Sequence, residues 1–239
     1  MFDSTAPLGD ELFMRVSEFQ RRQAAAGRLT VSRSGATELA ALTPSLVQDL
    51  LRFDRSHTPG AGLDMLEVLA AALRHNRALR LHLRLGDGVM PVTLWPQQRE
   101  VQSPLRLDQL LALRLPDLQV LLIEPADPRE QAAANNPPLW REPLGPLLWE
   151  LALRGARDAL LPEISGVAAY RVSPGADLAV LDLSGSLAAA VARLRRQTTP
   201  LREIAEWPGF DRERAMRMLN GLYLQAALMI SRSHPAGLG

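Results

Sequence analysis

In "ALRLHLRLGDG", residues 78–88, Arg80, His82 and Arg84 alternate with leucines. Successive side chains of an extended strand point to opposite faces, so these three groups share one side. Their chemistry there would be the binding of something anionic or of an acidic partner, since a guanidinium offers a planar fork of donors. Arg74 and Arg77, just upstream, extend the row if the preceding helix ends early enough. A solvated sheet face explains the same alternation and is the preferred account. The second chemistry-bearing stretch is "LLIEPAD", where Glu124 and Asp127 stand at the exit of an apolar run. Open α/β sheets place catalytic side chains at such strand ends, which makes an acid or base role conceivable. No nucleophile or partner base lies nearby in sequence, so a polar strand end running into a proline turn is favoured.

Stronger chemical signatures are missing. The chain has no phosphate-cradling P-loop, dinucleotide glycine fingerprint, HExxH zinc helix or GxSxG elbow. His57, His75, His82 and His234 have no second histidine or acid at helix-ligand spacing, so no metal site is expected and each is read as structural or surface. The chain has no cysteine, which excludes disulfides, thiolate catalysis and cysteine metal ligation. No catalytic residue and no cofactor is assigned.

All 27 basic residues are arginines, set against 26 acids, so the net charge is only +1. The lysine-free composition fits a GC-rich bacterial coding sequence better than it fits a function. "MFDSTAPLGDELFM" has no basic residue ahead of any apolar stretch, so no secretory signal is expected. No window approaches the roughly 18 apolar residues of a membrane span. A cytoplasmic location without membrane contact is the expectation.

The elements that must position these residues are legible from periodicity. Leu12, Val16, Phe19 and Gln23 predict a helix ending at Gly27, and "RLTVSRSG" a short strand and turn. "TPSLVQDLLRF" carries Thr43 as a cap and Pro44 at the first helical position, and another helix runs from Leu63 to about Arg74. Leu79–Leu85, the turn "GDG" and "VMPVTLW" form a β-hairpin, with Pro91 marking an edge or a bulge. A short helix over 107–113 leads to "LQVLLIEP", a strand suited to cover on both faces. Residues 127–138 have linker composition. Beyond them a helix over "LLWELALRGARDALLPEI" is expected, with Trp140 and Trp149 seating it, then a hairpin around "SPGAD". Trp95 and Trp207 are taken as core.

Residues 186–225 read as three helices around a corner: "SLAAAVARLRRQ" capped by Ser186, "TPLREIAEW" starting at Pro200, the turn "PGF", and "DRERAMRMLNGLYLQ". In the third, Ala215, Leu219, Leu222 and Ala226 form the buried stripe, and Arg214, Arg217 and Asn220 or Gly221 lie elsewhere. "ALMISRS" would leave as a wing strand. This order, with the "LREIAE…GF" corner, resembles the winged-helix-like C-terminal half of a poorly characterised bacterial signalling domain that often accompanies receiver modules. The resemblance covers residues 147–231, contains no catalytic signature and implies a regulatory module.

Residues 186–232 carry eight arginines against four acids. Arg195, Arg196, Arg212, Arg214 and Arg217 are therefore the candidate contacts to a protein partner or to nucleic acid. Asp211 and Glu213 begin the third helix, where base-reading residues normally point and where acids repel phosphate. They also suit a helix N-terminus on electrostatic grounds alone. Protein contact is placed ahead of DNA contact, because a +1 chain is a poor competitor for phosphates.

The sequence thus predicts an α+β protein: a mixed α/β unit with a β-hairpin over 1–126, a linker over 127–138, and a mainly helical, winged-helix-like unit over 139–239. A non-enzymatic regulatory or adaptor protein acting through protein contacts is the leading expectation. A DNA-binding transcriptional regulator using 186–232 is the alternative, and an enzyme around Glu124 comes third.

Overall fold

The computed structural model describes residues 13–25, 45, 65–126 and 139–232. The chain is α+β, with helices and antiparallel sheets, and it divides into two compact units, 1–144 and 145–239. Expected elements over 28–35 and, apart from Ser45, over 43–53, together with Leu12, Gly27, His57, Asp127 and His234, lie outside the described residues.

The first unit is built on a six-stranded sheet with the order β5-β2-β3-β4-β6, β1 also pairing with β3. Here β1 is Met14–Arg15, β2 Leu79–Leu85, β3 Gly88–Trp95, β4 Glu100–Ser103, β5 Gln119–Pro125 and β6 Trp140–Pro143. The alternation of β2 has its physical outcome: Leu79, Leu81 and Leu83 are fully buried on one face beside Met90, Val92 and Leu94 of β3. Gly86 at φ +58° begins the two-residue turn to β3, a conformation in which a Cβ would be strained. Pro91 is neither on an edge strand nor at a bulge. It falls between Gly88–Val89, which pair with β1, and Thr93–Trp95, which pair with β4. On that side no described strand is opposite it to need its missing N–H.

Three α-helices, α1 (Val16–Ala25), α2 (Met65–Arg74) and α3 (Leu107–Ala112), and a 3-10 turn over Leu115–Asp117 complete the described elements of this unit. α1 turns Phe19 and Gln23 inward, as their spacing predicts, and Phe19 packs on Val89 and Leu122. Residues 140–143 were expected to belong to the second unit. Instead Trp140–Pro143 pairs with Ser103–Glu100 and extends the first sheet, so the division falls after Leu144. Trp140 thus belongs to this sheet, where it is 43% exposed, under the Arg106 guanidinium at 4.8 Å.

The second unit contains α4 (Leu144–Arg154, its first residue at the division), β7 (Ala169–Val172), α5 (Gly185–Arg196), β8 (Thr199–Pro200), α6 (Leu201–Ile204), α7 (Arg212–Leu224) and β9 (Leu228–Ser231). α4 stops ten residues short of the expected helix. At Gly155 a Cβ would stand 2.3 Å from the Leu151 carbonyl oxygen, so only glycine can take the turn that ends it. The hairpin expected around "SPGAD" does not form, because both edges of β7 are taken, by β8 and by β9. α5 begins one residue before Ser186, which therefore does not cap it.

Candidate functional site

The row Arg80, His82, Arg84 does share one face of β2, but the three side chains meet different surroundings. In register, Arg80 lies between Thr93 and Glu124, His82 between Pro91 and Leu122, and Arg84 between Val89 and Gln119. This is not the solvated face that was expected. α1 lies over part of it, and the Phe19 ring sits 5.0 Å from the His82 imidazole. His82 Nε2 donates to Glu124 Oε2 at 2.8 Å, with side-chain exposures of only 16% and 22%. The two features that looked separate in sequence, the cationic row and Glu124, are thus one cluster. β5 is antiparallel to β2, so the strand-end geometry of open parallel sheets does not apply to Glu124. It lies within the strand that ends the sheet among the described residues, held by a histidine. Farther along the same face Thr93 and Gln102 are buried side by side, and the Trp95 indole N–H donates to the Gln102 amide oxygen at 3.3 Å. Arg84 stands apart at the hairpin end, its Nε donating to the Gly86 carbonyl at 3.1 Å.

In the second unit the arginines divide by task. Arg217 is 17% exposed: it pairs with Glu213 at 2.8 Å and donates to the carbonyls of Leu153 and Gly155 at 3.3 and 2.8 Å. Those are carbonyls at the C-terminal end of α4, which has no intrahelical donors for them. Arg195 donates to Pro174 and Ala176 carbonyls at 3.3 and 2.9 Å, tying α5 to the turn after β7. Arg214 is exposed, yet its guanidinium reaches Ser186 Oγ at 3.1 Å and lies 5.5 Å from the Phe210 ring. Arg193 stacks on Trp207 at 4.6 Å, and Trp207 meets Phe210 edge-on at 6.4 Å. Two cations thus bracket the aromatic corner that joins α6 to α7. Arg196 and Arg212 are exposed with no hydrogen bond or ion pair to another described residue. Asp211 is the N-cap of α7, accepting from the Arg214 amide at 2.7 Å, which accounts for an acid at this position.

The residues that organise this unit were placed on the wrong side of the third helix by the sequence pattern. Asn220 and Gly221 are buried. The Asn220 amide accepts from the Leu161 N–H and donates to the Ala159 carbonyl, both at 2.9 Å, and so pins the loop after α4. A Cβ on Gly221 would lie 2.6 and 2.8 Å from the Trp149 ring. The signal was present: asparagine followed by glycine in mid-helix is costly for the helix itself and calls for a tertiary reason. Ala226, expected on the buried stripe, lies beyond the helix end, exposed at φ +56°. Tyr170, fully buried in β7, donates to the Ile164 carbonyl at 2.7 Å; burial raises its pKa above 10.0, with Arg232 acting in the opposite sense.

Among the described residues no group of three potential metal ligands occurs, and no helix is long and apolar enough to cross a membrane. No protein-family model matches this chain, and no curated protein or solved structure is significantly similar to it.

Proposed function

We propose that this protein is a non-enzymatic regulatory or adaptor component of the bacterial cytoplasm that acts through protein contacts. The observation that carries this reading is the enclosure of α7. From Ala215 to Leu224 every residue is buried or only partly exposed, and the fully exposed residues of the helix are Arg212, Glu213 and Arg214 of its first turn. A recognition helix must offer side chains to base edges from an open face, with its N-terminal residues in the major groove. Here that helix is the centre of its own unit, packed on Trp149 and the 159–161 loop. Charge favours the same reading. Arg195 and Arg217 are spent on carbonyl oxygens, leaving fewer guanidiniums for phosphates. What remains outside is a mixed surface of Arg196, Arg202, Arg212 and Arg214 with Glu203 and Glu206, of the composition found at the polar rim of protein interfaces. The resemblance of 147–231 to a winged-helix-like signalling module supports a regulatory role.

The alternative, DNA binding, draws on the exposure of Arg212 and Arg214 at the start of α7. One experiment separates the two. Nuclease-treated native extract passed over the full chain is expected to yield a stoichiometric protein partner, while duplex DNA binds only weakly. Duplex binding that falls steeply with salt and drops on Arg212→Ala and Arg214→Ala would replace the adaptor reading with the DNA-binding one.

A further inference from the structure

A groove of about 770 Å³ opens in the first unit, where β1 and the first turn of α1 meet the β2–β3 turn. It falls in the range of roughly 300–1,000 Å³ typical of small-molecule sites. Its polar lining includes two guanidiniums, from Arg15 and Arg84, with the Ser17 hydroxyl and the Gln20 amide. Phe13 and Leu85 supply apolar surface in the same groove.

The charge in this groove is unspent. Arg84 uses Nε on the Gly86 carbonyl two residues along, which steadies the guanidinium against its own hairpin turn. Its two terminal nitrogens have no hydrogen-bond or ion-pair partner among the described residues. Arg15 is exposed and makes no such contact to any described residue. One acid, Asp87, shares the groove, and it forms an ion pair with neither arginine. Its backbone carbonyl is engaged instead, accepting from the Val16 N–H at 2.8 Å. The contrast with the rest of the cationic row is physical: His82 has Glu124, and Arg80 faces Glu124 across the strand pair, whereas Arg84 has no carboxylate opposite it. Two planar forks of donors beside a hydroxyl and an amide, with one opposing charge, favour an oxyanion over a cation or a neutral ligand.

We propose that this groove binds a small molecule carrying an oxyanion, phosphate or carboxylate. Arg15 and Arg84 hold the charged head, Ser17 and Gln20 add hydrogen bonds, and the body of the molecule lies against Phe13 and Leu85. The first unit then serves as a ligand-binding unit, which goes beyond the adaptor role proposed above. The residues concerned all belong to the first unit, so failure of this proposal leaves the partner-capture experiment unaffected.

The test is calorimetric titration of the full chain at low ionic strength with pyrophosphate and, separately, with citrate. One saturable site is expected, its preference between the two telling which oxyanion the groove takes. Arg15→Gln and Arg84→Gln should each weaken binding about tenfold, and the pair together should abolish it. Asp87→Asn removes the opposing charge and should tighten binding several-fold, a gain that a damaged fold would not produce. Added salt should weaken binding in the unsubstituted chain. Absence of saturable binding to both probes overturns the proposal. So does binding that is unchanged in the double arginine variant, or that Asp87→Asn leaves unaltered or weaker.

Discussion

Gly221 has no side chain, and for that reason the Trp149 ring can approach α7 closely. An added Cβ would come 2.6 Å from the ring, with Ala152 at 3.4 Å on its other flank. Gly221→Ala should therefore destabilise the protein by about 1–3 kcal/mol in urea denaturation, although alanine is the better helix former. The neighbouring Asn220 satisfies one donor and one acceptor of the chain at 159–161. Asn220→Leu keeps the number and branching of side-chain heavy atoms but leaves both bonds unmade, at about 1–3 kcal/mol for each buried group. Tyr170 adds a pH dependence with a definite sign. Burial raises its pKa, so the folded chain keeps the phenolic proton when the unfolded chain, ionising near 10.0, has lost it. The stabilisation is whole below about pH 10 and declines as the pH rises through the higher folded value. Tyr170→Phe should lower stability by about 1 kcal/mol at neutral pH, since the Ile164 carbonyl loses its donor. It should also flatten the loss above pH 10, which urea titrations at the two pH values would show.

Elements were legible wherever local chemistry decides them. The strand at 79–85 follows from strict alternation, the turn after it from Gly86–Asp87, and α5 and α7 from helical spacing between punctuating residues. Three of the departures from expectation arose because a distant segment competed for the same backbone or surface. The second arm of the "SPGAD" hairpin lost to β8 and β9, which claim both edges of β7. Trp140–Pro143 joined β4 of the first sheet. The supposedly solvated face of β2 is partly covered by α1, whose stripe of Phe19 and Gln23 was visible in sequence without its destination. Phe19 anchors that docking on Val89 and Leu122. Phe19→Ala should cost about 3–5 kcal/mol. Amide exchange should speed up in α1 while the β2–β3 ladder stays protected, the mark of a helix loosened from an intact sheet.

At the scale of the molecule, two compact units share one chain of nearly balanced charge, so what the protein can bind depends on where its arginines are left over. The sequence by itself determined the α+β class, the amphipathic strand that carries Arg80, His82 and Arg84, and the three-helix corner over 186–225. Those are consequences of nearest-neighbour geometry: period two in a strand, period 3.6 in a helix, glycine and proline at the breaks. The same information excluded thiol chemistry outright. It could not say which cations are spent, because a guanidinium's partner is fixed by which segment folds against it and not by its neighbours along the chain. Tertiary structure alone brought Glu124 across to His82, set Arg217 against the end of α4, buried Asn220 against the 159–161 loop and Gly221 under Trp149, and left Arg15 and Arg84 lining a groove with no ion pair to a described carboxylate.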